Sequence, residues 1–172
     1  MLELLFKRRS IRKYKDISIE KDKVDKLIKA ALLSPSSRSI RPWEFIIIED
    51  KSTLDNLSKS KTHGSSFLSE AALGIIIIAD TTKSDVWVED TAIASTIVQL
   101  QAEDIGLGSC WIQIRNRMYN DKVTSEQYIK QILDIPENYC VEAIISIGYP
   151  NETKKAYDES ELQYNKIHRE KF

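Results

Sequence analysis

Cysteine, histidine, proline and glycine are all scarce in this chain, and each scarcity excludes something. The 172 residues include two Cys, two His, four Pro and five Gly. Cys110 and Cys140 lie far apart, with no CxxC and no Cys/His group at metal-ligating spacing. A disulfide-stapled scaffold and a zinc module are therefore excluded, and no metal is expected. Both cysteines sit in apolar sequence and read as buried free thiols in a reducing compartment. His63 and His168 have no carboxylate or Cys at a telling spacing and read as surface residues. There is no repeat, low-complexity tract or linker-like stretch. The longest apolar run, Ala71 to Ala79, covers nine residues, whereas a membrane span needs roughly 20. The start, MLELLFKRRS, puts its charge after the apolar stretch and lacks a small-residue cleavage site, unlike a secretory leader. Excess charge of one sign is also missing: 25 Lys plus Arg oppose 26 Asp plus Glu, for a net charge of −1. That balance argues against a general nucleic-acid binder, while leaving room for a local basic pocket. The expectation is a soluble, cytoplasmic protein with neither membrane nor nucleic acid as partner.

What is present is an ordinary globular composition, 42% hydrophobic and 30% charged, in a length that suits one domain over residues 1–172. A chain of this size buries roughly two-thirds of its unfolded surface. Leu2 to Lys7 reads as a short helix. From Glu20 the apolar residues Val24, Leu27, Ile28, Ala31 and Leu32 share a helical face, stopped by Ser34-Pro35. Trp43 to Ile48 reads as a strand, followed by a helix over Ser52 to Lys59 that Asp50 can cap. Gly74 to Ala79 is β-branched without alternation, the pattern of a strand buried on both faces. A long helix over Thr91 to Ile105 carries Ile93, Ile97 and Leu100 on one stripe and ends at Gly106. Gly108 to Ile114 and Val141 to Tyr149 complete the strands. Thr124 with Gln127 forms a capping box for a helix over Ser125 to Leu133. One sheet flanked by helices is the economical arrangement. The polar tail from Asn151 has little apolar surface of its own and is expected to pack on a second subunit.

Three segments have the residue types to carry chemistry. Arg8-Arg9-Ser10-Ile11-Arg12 offers three guanidiniums and a hydroxyl within five residues, suited to a phosphate or a flavin carbonyl edge; the plainer alternative is a solvated basic turn. Ser34 to Trp43 is a polar loop stiffened by Pro35 and Pro42, able to meet a heterocycle edge-on or simply to connect helix to strand. Gly106-Leu107-Gly108 follows a helix and enters a strand, the reverse of a Rossmann fingerprint, so a dinucleotide-binding fold of that kind is rejected. Cys110 has no evident base and is not read as a nucleophile.

Taken in order, Arg8 to Tyr14, Pro35 to Trp43, Glu89-Asp90-Thr91-Ala92, Gly106 to Trp111 and Ile147-Gly148-Tyr149-Pro150 resemble the nitroreductase family over about residues 2–150. A weaker echo lies at Ile167 to Phe172. The resemblance implies an α+β fold with a central, mostly antiparallel sheet and an intertwined homodimer holding FMN at its interface. It implies that Arg8, Arg9 and Ser10 face the flavin phosphate and Arg12 the N1/O2 edge. Pro35, Ser36 and Ser37, with Ser39 and Arg41 in the same loop, would reach the flavin of the other subunit. Trp111, Ile112, Gln113 and Ile114 would lie by N5. Where the family often has Gly-Asn-x-Gln, this chain has Arg38-Ser39-Ile40-Arg41. Where the family's tail carries a basic residue for the phosphate, it has Glu159-Ser160-Glu161, with Lys154 or Lys155 as the substitute.

The implied activity is NAD(P)H oxidation by a ping-pong cycle, NADH or NADPH donating hydride and a small nitroaromatic, quinone or flavin-type acceptor leaving reduced. No side-chain acid or base is required, so no catalytic residue is named. The alternative is an FMN-binding sensor or storage protein without efficient turnover.

Overall fold

The computed structural model describes residues 1–172. Its centre is β2, Leu73–Asp80, every residue of which is buried. That strand lies between β1, Trp43–Ile48, and β4, Tyr139–Gly148, while β3, Gly108–Gln113, pairs with the far side of β4. All three pairings are antiparallel. β1 and β3 are therefore the edges, and each leaves backbone groups free to pair with something else.

Helices cover both faces. One face carries α2, Lys21–Leu32, and α4, Trp87–Asp104, with Val24, Leu27, Val98 and Ala102 packed on Ile75, Ile77, Ile145 and Ile147. The other carries α3, Lys51–Ser58, and α5, Ser125–Leu133, with Leu54, Leu57 and Ile129 packed on Ile76, Ile78 and Ile144. Alternation along β2 sends Ile75 and Ile77 to one layer and Ile76 and Ile78 to the other, which is why the run shows no polar positions. The short α1, Leu2–Lys7, lies against α4. No helix is long and apolar enough to cross a membrane.

Several boundaries differ from expectation. α4 begins at Trp87, a full turn before Thr91. No side chain caps Val86, so tertiary contacts rather than a local stop signal set its start. The apolar stripe of α4 also faces away from its own sheet. The buried side of the helix is Asp90, Thr91, Ala94, Ser95, Val98 and Ala102, whereas Ile93 is 42% exposed. Ile97 and Leu100 line a groove with Met1 and Leu4 of α1. Leu32, expected on the core face of α2, is 54% exposed at the rim of a groove shared with Trp43 and Phe45 of β1.

Two glycines anchor the N-terminal segment. Gly106, at φ +78°, makes the left-handed turn after α4. Gly108 opens β3, as expected, and has a further role: it pairs with Gly148 across β3 and β4, and a Cβ there would stand 2.8 Å from Ile11 Cβ. Ile11 and Tyr14 lie over this glycine pair and are themselves buried.

The tail divides in two. Its first part packs on its own chain: the Tyr157 N–H donates to the Phe6 carbonyl, and Tyr157 and Leu162 line a pocket with Leu2, Leu5 and Phe6 of α1. Beyond that, Tyr164, Ile167 and Phe172 are 64%, 67% and 105% exposed.

Candidate functional site

The basic turn is built onto the edge of β3. The Ile11 N–H donates to the Ser109 carbonyl at 3.0 Å, and Lys15 and Asn151 exchange bonds with Tyr149 and Lys13. Tyr14 donates its hydroxyl to the Ile11 carbonyl at 2.6 Å and shares a 2.8 Å bond with the Ser146 hydroxyl. This fixes the backbone between Arg8 and Lys13, so the guanidiniums start from a stiff support. Arg12 and Lys13 N–H groups donate to Glu152, Arg12 at 2.6 Å.

Arg9 is held by its own tail, donating to the Lys155 carbonyl and lying 4.4 Å from the Tyr157 ring centroid. The Lys155 side chain is exposed. Arg8, Ser10 and Arg12 gather around Cys110: burial pushes that thiol up, while Arg12, a hydrogen bond with Ser10, and Arg8 pull it back down. The thiol is thus buried, as expected, but beside cations rather than in wholly apolar surroundings. Cys140 is only half-buried, and burial followed by a hydrogen bond with Glu126 pushes it up to about 11. None of Arg8, Arg9 and Arg12 forms a salt bridge with a carboxylate. Three guanidiniums in one turn without a bonded counter-charge form a ready anion site.

Lys61 joins this region without any mark in the sequence. Burial, and then Arg117, lower its ammonium pKa, with Cys110 acting in the opposite sense. Arg12 itself lies 5.7 Å from the Phe67 ring centroid. The segment after α3 thus brings Phe67 beside Arg12, a placement no local spacing encodes.

Because Ser109 turns its backbone outward to meet Ile11, the alternation of an antiparallel strand turns Trp111 and Gln113 outward too. The Ile114 N–H points inward, donating to the Glu142 carbonyl at 3.1 Å. The side chains form a directed chain: the Trp111 indole donates to Gln113 Oε1 at 2.9 Å, and Gln113 Nε2 donates to the Arg115 carbonyl at 3.1 Å and to Glu142 Oε1 at 3.3 Å. An indole can only donate, which fixes the orientation of the Gln113 amide. Burial pushes the Glu142 carboxyl above its ordinary range, while Gln113 and Arg115 pull it down.

The loop after α2 is held at the opposite end of α4. The Ser37 N–H donates to Asp90 at 2.8 Å, the Arg41 N–H to the Ser36 hydroxyl at 2.8 Å, and Arg38 pairs with Asp85 at 2.9 Å. Arg38, Ser39 and Arg41 have φ of 51°, 55° and 53°, a strained backbone for residues with side chains. These internal bonds use part of the hydrogen-bonding capacity that the loop's sequence offers. Pro35, Ser39 and Arg41 are exposed.

The two donor sets are not brought together within one chain. Ser37 is tied to Asp90, while Arg9 shares a pocket with Glu103 near the other end of α4. At 1.5 Å per residue those helix positions are roughly 20 Å apart.

This fold is α+β, a four-stranded antiparallel sheet between two helical layers, with a basic turn anchored at one open edge. The Nitroreductase family profile matches residues 5–64 and 59–149, and the chain belongs to that family. A solved structure from Clostridium difficile R20291, described as an FMN-dependent nitroreductase, is 56% identical with a TM-score of 0.99, covering 100% of both chains. A second, from Parabacteroides distasonis and provisionally named an NADH dehydrogenase/NAD(P)H nitroreductase, is 33% identical with a TM-score of 0.90, covering 99% of this chain and 98% of that one. A protein of Archaeoglobus fulgidus with the same provisional name is 35% identical over 176 residues, covering 99% of this chain and 98% of its own.

Proposed function

We propose that this chain is an FMN-dependent NAD(P)H oxidoreductase that acts as a homodimer and reduces a small nitroaromatic, quinone or flavin-type acceptor in a ping-pong cycle. The observation that carries the reading is the set of three guanidiniums without carboxylate partners, fixed where the outward edge of β3 begins. A phosphate suits the former and the edge of a planar heterocycle the latter, so the residues present fit FMN. When bound, FMN would accept hydride from the nicotinamide nucleotide and pass reducing equivalents to the acceptor.

The chain's own residues supply binding and electrostatics. Arg8, Arg9 and Ser10 would hold the phosphate, with the Lys155 carbonyl fixing Arg9. Arg12 would put positive charge at the flavin N1/O2 edge and favour the reduced, anionic state. Of the strand residues expected beside N5, Trp111 and Gln113 would form the wall, with Ile112 and Ile114 packed behind them in the core. The loop of Pro35, Ser36, Ser37, Ser39 and Arg41 lies too far along α4 to share that ligand within one chain, which supports a site completed by the loop of a second subunit. The outward stripe of Ile93, Ile97 and Leu100 supports the same assembly, because apolar residues left on an outer face favour a partner.

The test is steady-state NADH and NADPH oxidation with a quinone acceptor. Parallel lines in double-reciprocal plots support the proposed cycle. An FMN-loaded protein that oxidises neither nucleotide would instead be a binding protein, and the enzymatic reading would fall.

A further inference from the structure

Glu142 is the extra residue in a β-bulge. Ile77 pairs with Ala143 and Ile78 with Val141, so Glu142 has no partner on β2, and bulges of this kind re-aim side chains. The residue is only 4% exposed, and its Oε2 has no hydrogen-bond partner. A buried carboxyl oxygen left alone is costly, and an apolar residue would fit a core strand better. The other oxygen receives Gln113 Nε2 at 3.3 Å, and the carbonyl of the same residue accepts from both Ile114 and Arg115, each at 3.1 Å. Gln113 in turn accepts from the Trp111 indole.

We propose that Glu142 is a positioning residue that acts through the Gln113 amide to hold the Trp111 indole in the wall of the flavin site. This rests on the proposed flavin-binding function, but its first half concerns the protein alone. The Gln113 amide has two N–H bonds to place. The Arg115 carbonyl takes one, and the other goes to Glu142, whose carboxyl lies at 3.3 Å and whose backbone carbonyl lies at 3.5 Å; without the carboxyl only that longer contact restrains the last torsion of the amide, and its hold on the indole loosens. Glu142 thus ties the half-buried Trp111–Gln113 pair into a directed chain ending at the ligand edge.

The experiment follows the Trp111 indole proton by NMR in the apoprotein, its resonance identified by its loss in Trp111→Phe. FMN affinity is measured in parallel. Glu142→Leu and Gln113→Leu should each speed exchange of that proton and weaken FMN binding by about tenfold. The double variant should be no worse than either single one, because both break one chain. Glu142→Gln, which keeps an acceptor for Gln113, should retain the slow exchange and most of the affinity. A folded Glu142→Leu protein with unchanged indole exchange would overturn the proposal, because the backbone carbonyls of Arg115 and Glu142 would then suffice. Additive effects in the double variant would overturn it as well. If indole exchange responds as stated while the wild-type protein binds no FMN, the positioning chain stands and the flavin reading falls, taking with it the flavin half of this proposal.

Discussion

The Tyr14 ring lies across Gly148, so close that a Cβ on that glycine would come within 2.8 Å of Tyr14 Cδ1. The contact decides where the basic turn sits, because Tyr14 also holds the Ile11 carbonyl and the Ser146 hydroxyl. Gly148→Ala should displace the ring and cost about 1–3 kcal/mol in overpacking. Weaker FMN binding should accompany the loss, because Arg8 to Arg12 depend on the same anchor. Thermal unfolding and FMN titration of this variant check both effects. Unchanged stability together with unchanged affinity would show that the turn is held some other way.

A charge placed on the outward stripe of α4 tests the second subunit. Ile97→Glu lies in the groove with Leu4 and Leu100, away from the chain's own core. Sedimentation velocity should show a dimer for the wild type and a monomer for the variant, and FMN should be lost with the dimer, as the proposed sharing of the Ser36–Ser37 loop between subunits requires. A monomer that binds FMN at wild-type affinity would contradict the shared site.

Thr124 tests a purely structural feature. Its hydroxyl accepts from the Gln127 N–H at 3.1 Å while the Gln127 side chain accepts from the Thr124 N–H at 2.9 Å. Thr124→Ala should lower stability by about 1 kcal/mol in chemical denaturation and leave FMN affinity unchanged, since neither Thr124 nor Gln127 is hydrogen-bonded to the basic turn.

That capping box was legible in the sequence, and so were the four strands, because each signal is local. The unbroken run Ile75 to Ile78 marks a strand covered on both faces, and Gly106 marks a helix end. Features set by packing across the sheet were not legible. Gly108 reads as the first residue of a strand, but nothing local says that Ile11 occupies the place of its missing Cβ. The stripe of Ile93, Ile97 and Leu100 has helical spacing whichever way it faces, so periodicity could not tell its outward direction. The basic turn was found by composition, but Lys61 and Glu142 were not. One reaches the site by a loop and the other by a bulge, and neither has a sequence period.

Acid should destabilise the fold through two carboxylates, Asp50 at the start of α3 and Asp80 at the turn that follows β2. Hydrogen bonds from Ser52 and Thr53 hold Asp50 down to about 2, and those from Thr82 hold Asp80 down to about 2, each from an ordinary value of 3.8. For a depressed carboxyl the folded state binds fewer protons than the unfolded one. Its stabilisation is therefore complete above the ordinary value and is lost as pH falls toward the folded value. Thermal midpoints should fall between about pH 4 and pH 2, and Asp50→Asn should flatten that decline. An equally steep decline in the variant would remove Asp50 from the account.

The central claim, that Arg8 to Arg12 and the edge of β3 together hold FMN, is tested most directly by the absorbance spectrum of the purified protein, with the chromophore released by heat and identified. The expected result is a yellow protein with about one FMN per chain, depleted by Arg12→Ala. A colourless protein that also fails to take up added FMN would contradict it, and the oxidoreductase reading would fall with it.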